Sequence, residues 1–127
     1  SINMKTWKKY KKGGKPIDAG SYGCVFKPAL KCKHKTRKNG VSKLMLENHA
    51  NNEIQLLDPI YKVMQKHPDI EKHILIPSKN DICIPDTLTT SDLKSFDSVC
   101  NRLHSKGYNI LTINSKLDSL RVLLISV

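Results

Sequence analysis

Two glycines frame the tetrapeptide Gly20-Ser21-Tyr22-Gly23, which runs directly into Cys24-Val25-Phe26, and Val41-Ser42-Lys43 follows it. Glycine adopts backbone angles closed to other residues, so a turn built on two of them lets amide N–H groups face an anion. Val25 and Phe26 favour an extended backbone. Lys43 lies 20 residues beyond Gly23 and brings a compact positive charge on the next extended segment. The combination predicts strand, tight turn, strand, loop, strand: a small antiparallel meander with a phosphate-sized anion site at its turn.

The rest of the chain is read around that meander. Two short strands are expected over residues 16–30, with Pro28 limiting the second because proline donates nothing to a ladder. Lys31 to Gly40 reads as a basic loop with a Lys38-Asn39-Gly40 turn, and Val41 to Met45 as the third strand. From about Leu46 to Leu57, Ala50, Ile54 and Leu57 recur at helical spacing, with Glu53 at the edge of that stripe. Asp58-Pro59 is a helix-start signal and predicts a second short helix to His67-Pro68. Ile74-Leu75-Ile76 and Ile82-Cys83-Ile84 read as strands or extended arms around a Lys79-Asn80-Asp81 turn. Ser91 is expected to cap one helix from about Asp92 to Ser105, with Leu93, Phe96, Val99, Cys100 and Leu103 as its apolar stripe and Gly107 as its stop. Ile110 to Ile113 is a strand candidate. Leu120 to Val127 reads as a buried strand on which a domain is expected to continue in its parent protein.

Charge is divided unevenly. Residues 1–43 carry thirteen Lys or Arg against one acid, Asp18, whereas residues 44–127 carry nine against ten. The basic third is a candidate contact for nucleic acid, acidic lipid or polyphosphate, or simply a solvated tail and loop. Within residues 1–15, Trp7 and Tyr10 stand among six lysines, placed to stack on bases or to pin the tail onto its own domain. No run of about 18 apolar residues occurs, which excludes a membrane-spanning helix and predicts no membrane partner. Cys24, Cys32, Cys83 and Cys100 are widely spaced, and Cys32-x-His34 has no second pair at zinc spacing, so no metal site is expected. Free, reduced thiols in an intracellular protein are the expectation.

These residues resemble the small lobe of a protein kinase, whose signature is a G-x-G-x-x-G-x-V loop, a strand lysine and a helix glutamate paired with it. Asp18-Ala19-Gly20-Ser21-Tyr22-Gly23-Cys24-Val25 matches the second and third glycines and the valine, while Asp18 stands at the first glycine. Val41-Ser42-Lys43 corresponds to the lysine strand, and Glu53, ten residues on, to the helix glutamate. Glu47 is the rival, but it follows the strand too closely to sit mid-helix. The wording of the whole segment is most similar to the divergent serine/threonine kinases of large nucleocytoplasmic DNA viruses, which places it in host cytoplasm or virion.

The resemblance implies an α+β fold: a small antiparallel sheet with a packed helix, plus a helical insertion over about 69–119. Residues 1–15 form a basic tail outside the lobe at 16–127. It implies ATP as ligand, with Ala19, Gly20, Ser21, Tyr22, Gly23, Val25 and Lys43 binding the nucleotide. Lys43 and Glu53 take catalytic roles, and Val25 with Ser42 bracket the adenine. No His-Arg-Asp or Asp-Phe-Gly segment occurs. The catalytic base, magnesium ligands and protein-substrate contacts belong to a large lobe absent here, so the chain is expected to be incomplete for phosphoryl transfer. The alternatives are a basic nucleic-acid- or partner-binding module, or a virion structural protein that keeps the fold without catalysis.

Overall fold

The computed structural model describes residues 15–19, 23–34, 40–71 and 77–126. Five strands form one antiparallel sheet: β1 (Lys15–Ala19), β2 (Gly23–Lys27), β3 (Gly40–Leu46), β4 (Ile82–Cys83) and β5 (Leu120–Ser126), in the order β1-β2-β3-β5-β4. The chain is α+β, because helices fill the connections. α1 (Glu47–Gln65) and the single turn α2 (Pro68–Glu71) follow β3, whereas α3 (Thr90–Leu93), α4 (Phe96–Val99) and α5 (Asn101–Ser105) lie between β4 and β5. The glycine turn Gly20–Tyr22, residues 1–14 of the basic tail, the 35–39 part of the basic loop, Ile74–Ile76 and Val127 lie outside the described residues, while Lys15, expected in the tail, opens β1.

Side-chain alternation sorts the sheet into two faces. Val25 pairs with Lys43 and Lys43 with Leu123 across three strands; Val41 and Ile125 share that face. α1 packs on it through Ala50 and Ile54. The other face carries Cys24, Phe26, Leu44, Leu120, Val122 and Leu124, and residues 84–119 cover it with Leu88, Phe96, Cys100, Leu103, Ile113 and Leu117. The Phe26 and Phe96 rings stack with centroids 6.3 Å apart. Burial on both faces explains why Leu120–Ile125 is a nearly continuous apolar run rather than an alternating one.

Several boundaries differ from the sequence reading. α1 is one helix running through Pro59, where two were expected. The amide that proline lacks frees only the Gln55 carbonyl, on the exposed side of the helix, where water can satisfy it. Asp58 is no cap but pairs with Lys62 at 3.1 Å one turn on. The expected helix 92–105 is three short turns, interrupted at Ser95 (φ 61°) and Cys100. Its stripe still faces inward: Phe96, Cys100 and Leu103 are buried, and Leu93 and Val99 pack beside them. Thr89, not Ser91, caps it: the Thr89 hydroxyl accepts from the Asp92 amide and the Asp92 carboxylate from the Thr89 amide.

The stop is where the glycine put it. Gly107 (φ 93°) lets Tyr108 and Gly107 donate to the Leu103 and His104 carbonyls, closing α5. Ile110–Ile113 is a turn leading into a 3-10 segment, Ile113–Ser115, rather than a strand. Lys79–Asp81 is likewise a 3-10 turn, capped by Ser78.

The cysteines overturn the free-thiol expectation. Cys24 is bonded to Cys100 and Cys32 to Cys83, with Cα atoms 5.3 and 5.8 Å apart. The partners are separated by 76 and 51 residues, so no local spacing rule could pair them. Among the described residues no helix is long and apolar enough to cross a membrane.

Candidate functional site

The hairpin β1–β2 brings its ends together around the glycine turn: Ala19 stands opposite Cys24, and Asp18 opposite Val25 after a bulge past Pro16. Gly20, Ser21 and Tyr22 lie outside the described residues. Gly23 opens β2 opposite Met45, and only glycine fits there. A Cβ at this position would sit 2.3 Å from the Leu44 carbonyl oxygen, so β3 passes directly against it. Packing against β3, rather than a left-handed backbone, is what this glycine provides.

Lys43 sits at the middle of β3, next to Val25 on one side and Leu123 on the other. Only 3% of the residue is exposed. An ammonium so deeply buried needs a partner, because removing a lone charge from water costs several kcal/mol. Glu53, on the second turn of α1, supplies it: Nζ lies 3.4 Å from Oε1 and 3.3 Å from Oε2. The register explains the meeting. β3 ends at Leu46, α1 begins at once with Glu47, and the helix folds back over the face from which Lys43 projects. Glu47, the rival glutamate, is the first helical residue and pairs instead with Arg121 of β5.

Both Nζ–carboxylate distances exceed the 2.7–2.9 Å or so of a tight charge-assisted bond. An ammonium has three donors, and the contacts of this one with Glu53 run to both oxygens of a single carboxylate. The Glu53 side chain, 20% exposed, keeps partial contact with water.

Ser42 is elsewhere. As the neighbour of Lys43 it must point to the opposite face, where it is fully buried and its hydroxyl accepts a hydrogen bond from the Leu30 amide at 2.9 Å. The small residue before the lysine therefore anchors the 28–32 segment. The residue on the lysine face is Val41, two positions back, buried like Val25. The period-2 alternation of the strand places it there, whatever the adjacency of Ser42 to Lys43.

A concavity of about 450 Å³ lies between α1 and the turn after Ser78, lined in part by Asn51, Gln55, Lys62 and Lys79. Neither Lys43 nor Glu53 lines it. Among the described residues, no group of three or more His, Cys, Asp or Glu is placed to hold a metal ion. No protein-family model, curated protein or solved structure matches this chain.

Proposed function

We propose that this chain is the ATP-binding small lobe of a serine/threonine protein kinase, of the divergent kind that large DNA viruses carry. The observation that carries the reading is the buried Lys43–Glu53 pair, which joins the middle of a strand to the helix that follows it. The antiparallel sheet, with that helix across its lysine face, is the architecture the resemblance implies. Each element has a task in it. Lys43 neutralises the α- and β-phosphates, Glu53 fixes the direction of the ammonium, and the Gly20–Gly23 amides lie over the phosphates. Val25 and Val41 contact the adenine, the latter in place of Ser42. What supports a nucleotide here is the chemistry of the donor set: a buried ammonium, held by a carboxylate at distances longer than a tight charge-assisted bond, suits a phosphate. Bound ATP supplies the transferable phosphoryl group. The base, the magnesium ligands and the protein-substrate contacts come from a large lobe.

The test is nucleotide affinity of Lys43→Met, in this chain and in one that includes a large lobe. At least about tenfold weaker ATP binding is expected, equivalent to about 1.4 kcal/mol of lost phosphate contact. Unchanged binding together with unchanged phosphorylation sinks the reading. The two disulfides run against the intracellular setting that an ATP-dependent role implies, because disulfides are uncommon there. The excess of lysine in residues 1–43 favours a second reading, a nucleic-acid or partner contact. That contact weakens steeply with salt, and salt-insensitive or absent DNA and RNA binding removes it.

A further inference from the structure

The layer over the apolar face is weak by itself and strong by attachment. Its helices have four, four and five residues, each far below the dozen or so at which an isolated helix becomes even marginal in water. They keep their shape because Phe96, Cys100 and Leu103 are buried against the sheet. A covalent bond reinforces that burial at the start of the layer and another at its middle. Cys100, between α4 and α5, is bonded to Cys24 in β2, while Cys83, in β4 just before the layer begins, is bonded to Cys32 in the segment after β2.

The two bonds differ in access. Cys24 and Cys100 are 0% and 1% exposed. Cys32 is nearly as buried, at 4%, but its partner Cys83 is only partly covered. Cys83 therefore leaves this disulfide nearer to solution than Cys24 and Cys100 leave the other. The other lies under Phe96 and its neighbours, and can be reached only when the layer lifts. The Cys32 segment is also zipped to the residues after Cys83, Lys33 donating to the Ile84 carbonyl and Asp86 to the Lys31 carbonyl, both at 2.9 Å. Those bonds do not involve the sulfurs, so reduction does not by itself remove what holds Cys32 and Cys83 side by side.

We propose that Cys32–Cys83 is a reductant-accessible latch over the buried clasp Cys24–Cys100, so that thiol–disulfide exchange with a dithiol releases the 84–119 layer in two ordered steps. In each step the reagent thiolate attacks one protein sulfur to form a mixed disulfide and expels the other cysteine as a thiolate. The reagent's second thiol then closes on the first and expels the remaining cysteine. Two electrons pass from the dithiol to the protein, the two cysteines take up the protons the reagent loses, and the reagent leaves as its cyclic disulfide. The second step uncovers the face that holds Phe26, Leu44 and Val122, and frees Cys24, one residue along β2 from Gly23.

The experiment is graded reduction of the purified chain by dithiothreitol, with iodoacetamide trapping and mass-spectrometric assignment of each cysteine. The expected result is no labelling before reductant. Paired labelling of Cys32 and Cys83 then comes first, and Cys24 and Cys100 follow at least about 100-fold more slowly, with an apparent Tm lowered by ~10–20 °C once both bonds are open. Free thiols in the protein purified in air, simultaneous labelling of all four, or labelling of Cys24 and Cys100 first overturns the proposal. ATP binding by the oxidised chain is read separately. Its absence removes the kinase reading and leaves the order of labelling standing.

Discussion

The two faces of the sheet are buried by opposite means. The lysine face is covered by one long helix that follows its strand directly, and its central contact is an ion pair ten residues apart in sequence. The apolar face is covered by short turns arriving from 84–119, and its contacts are aromatic stacking, aliphatic packing and a disulfide spanning 76 residues. A local contact between charges is specific in direction and modest in net energy, because desolvation offsets most of the attraction. A distant apolar contact has no direction but a large energy, since each buried side chain contributes about 1.5–3 kcal/mol. The difference teaches where to look for each property: chemistry on the helix face, stability on the layered face.

Truncating the layered face is the strongest attack on that division. Phe96→Ala removes a fully buried ring from against Phe26 and is expected to cost about 3–5 kcal/mol in urea unfolding. A loss below about 1 kcal/mol would mean that the layer contributes little and the contrast fails. Gly23→Ala comes next, at about 3 kcal/mol, because the new methyl meets the Leu44 backbone oxygen and β2 must move off β3. Wild-type stability there would show that the close approach is not real.

On the lysine face the two halves of the ion pair are expected to behave unequally. Glu53→Gln strands an ammonium that is 3% exposed, at a cost of about 2–3 kcal/mol. Lys43→Met leaves a glutamate that already touches water and places an apolar stem among Val25 and Leu123, so stability changes by less than about 1 kcal/mol. Equal costs in chemical denaturation would mean that the pair is held as a surface pair. The smallest effect is expected for Lys62→Ala, which loses an exposed one-turn pair with Asp58 worth about 0.3–0.5 kcal/mol.

The legible parts of this fold are those that local periodicity encodes. β2, β3 and β5 follow from short β-favouring runs, the first half of α1 from Ala50, Ile54 and Leu57, and the stop of α5 from Gly107. Lys43 and Glu53 are readable as a pair through the resemblance to a kinase small lobe, and a strand followed at once by a helix brings them together. The errors have equally physical sources. Pro59 reads as a helix start because the rule sees only the missing amide, not the solvent that replaces it on the exposed side. Ser42, the small residue nearest the lysine, lies on the opposite face because side chains alternate by two along a strand. The run 92–105 keeps its apolar stripe but not its continuity, because packing on the sheet fixes which side chains point inward and not the backbone angles at Ser95 and Cys100.

The sequence by itself determined the strands β2, β3 and β5, the start of α1 and the stop of α5, since these rest on patterns within about a dozen residues. Only the tertiary structure decided that β5 lies between β3 and β4, that residues 84–119 cover the face opposite the lysine, and that the four cysteines form two cross-links. Those features join residues tens of positions apart. Their free energy comes from apolar surface leaving water, which depends on how much is buried and not on which segment buries it. A linear pattern records that a side chain seeks cover, but not where the cover comes from.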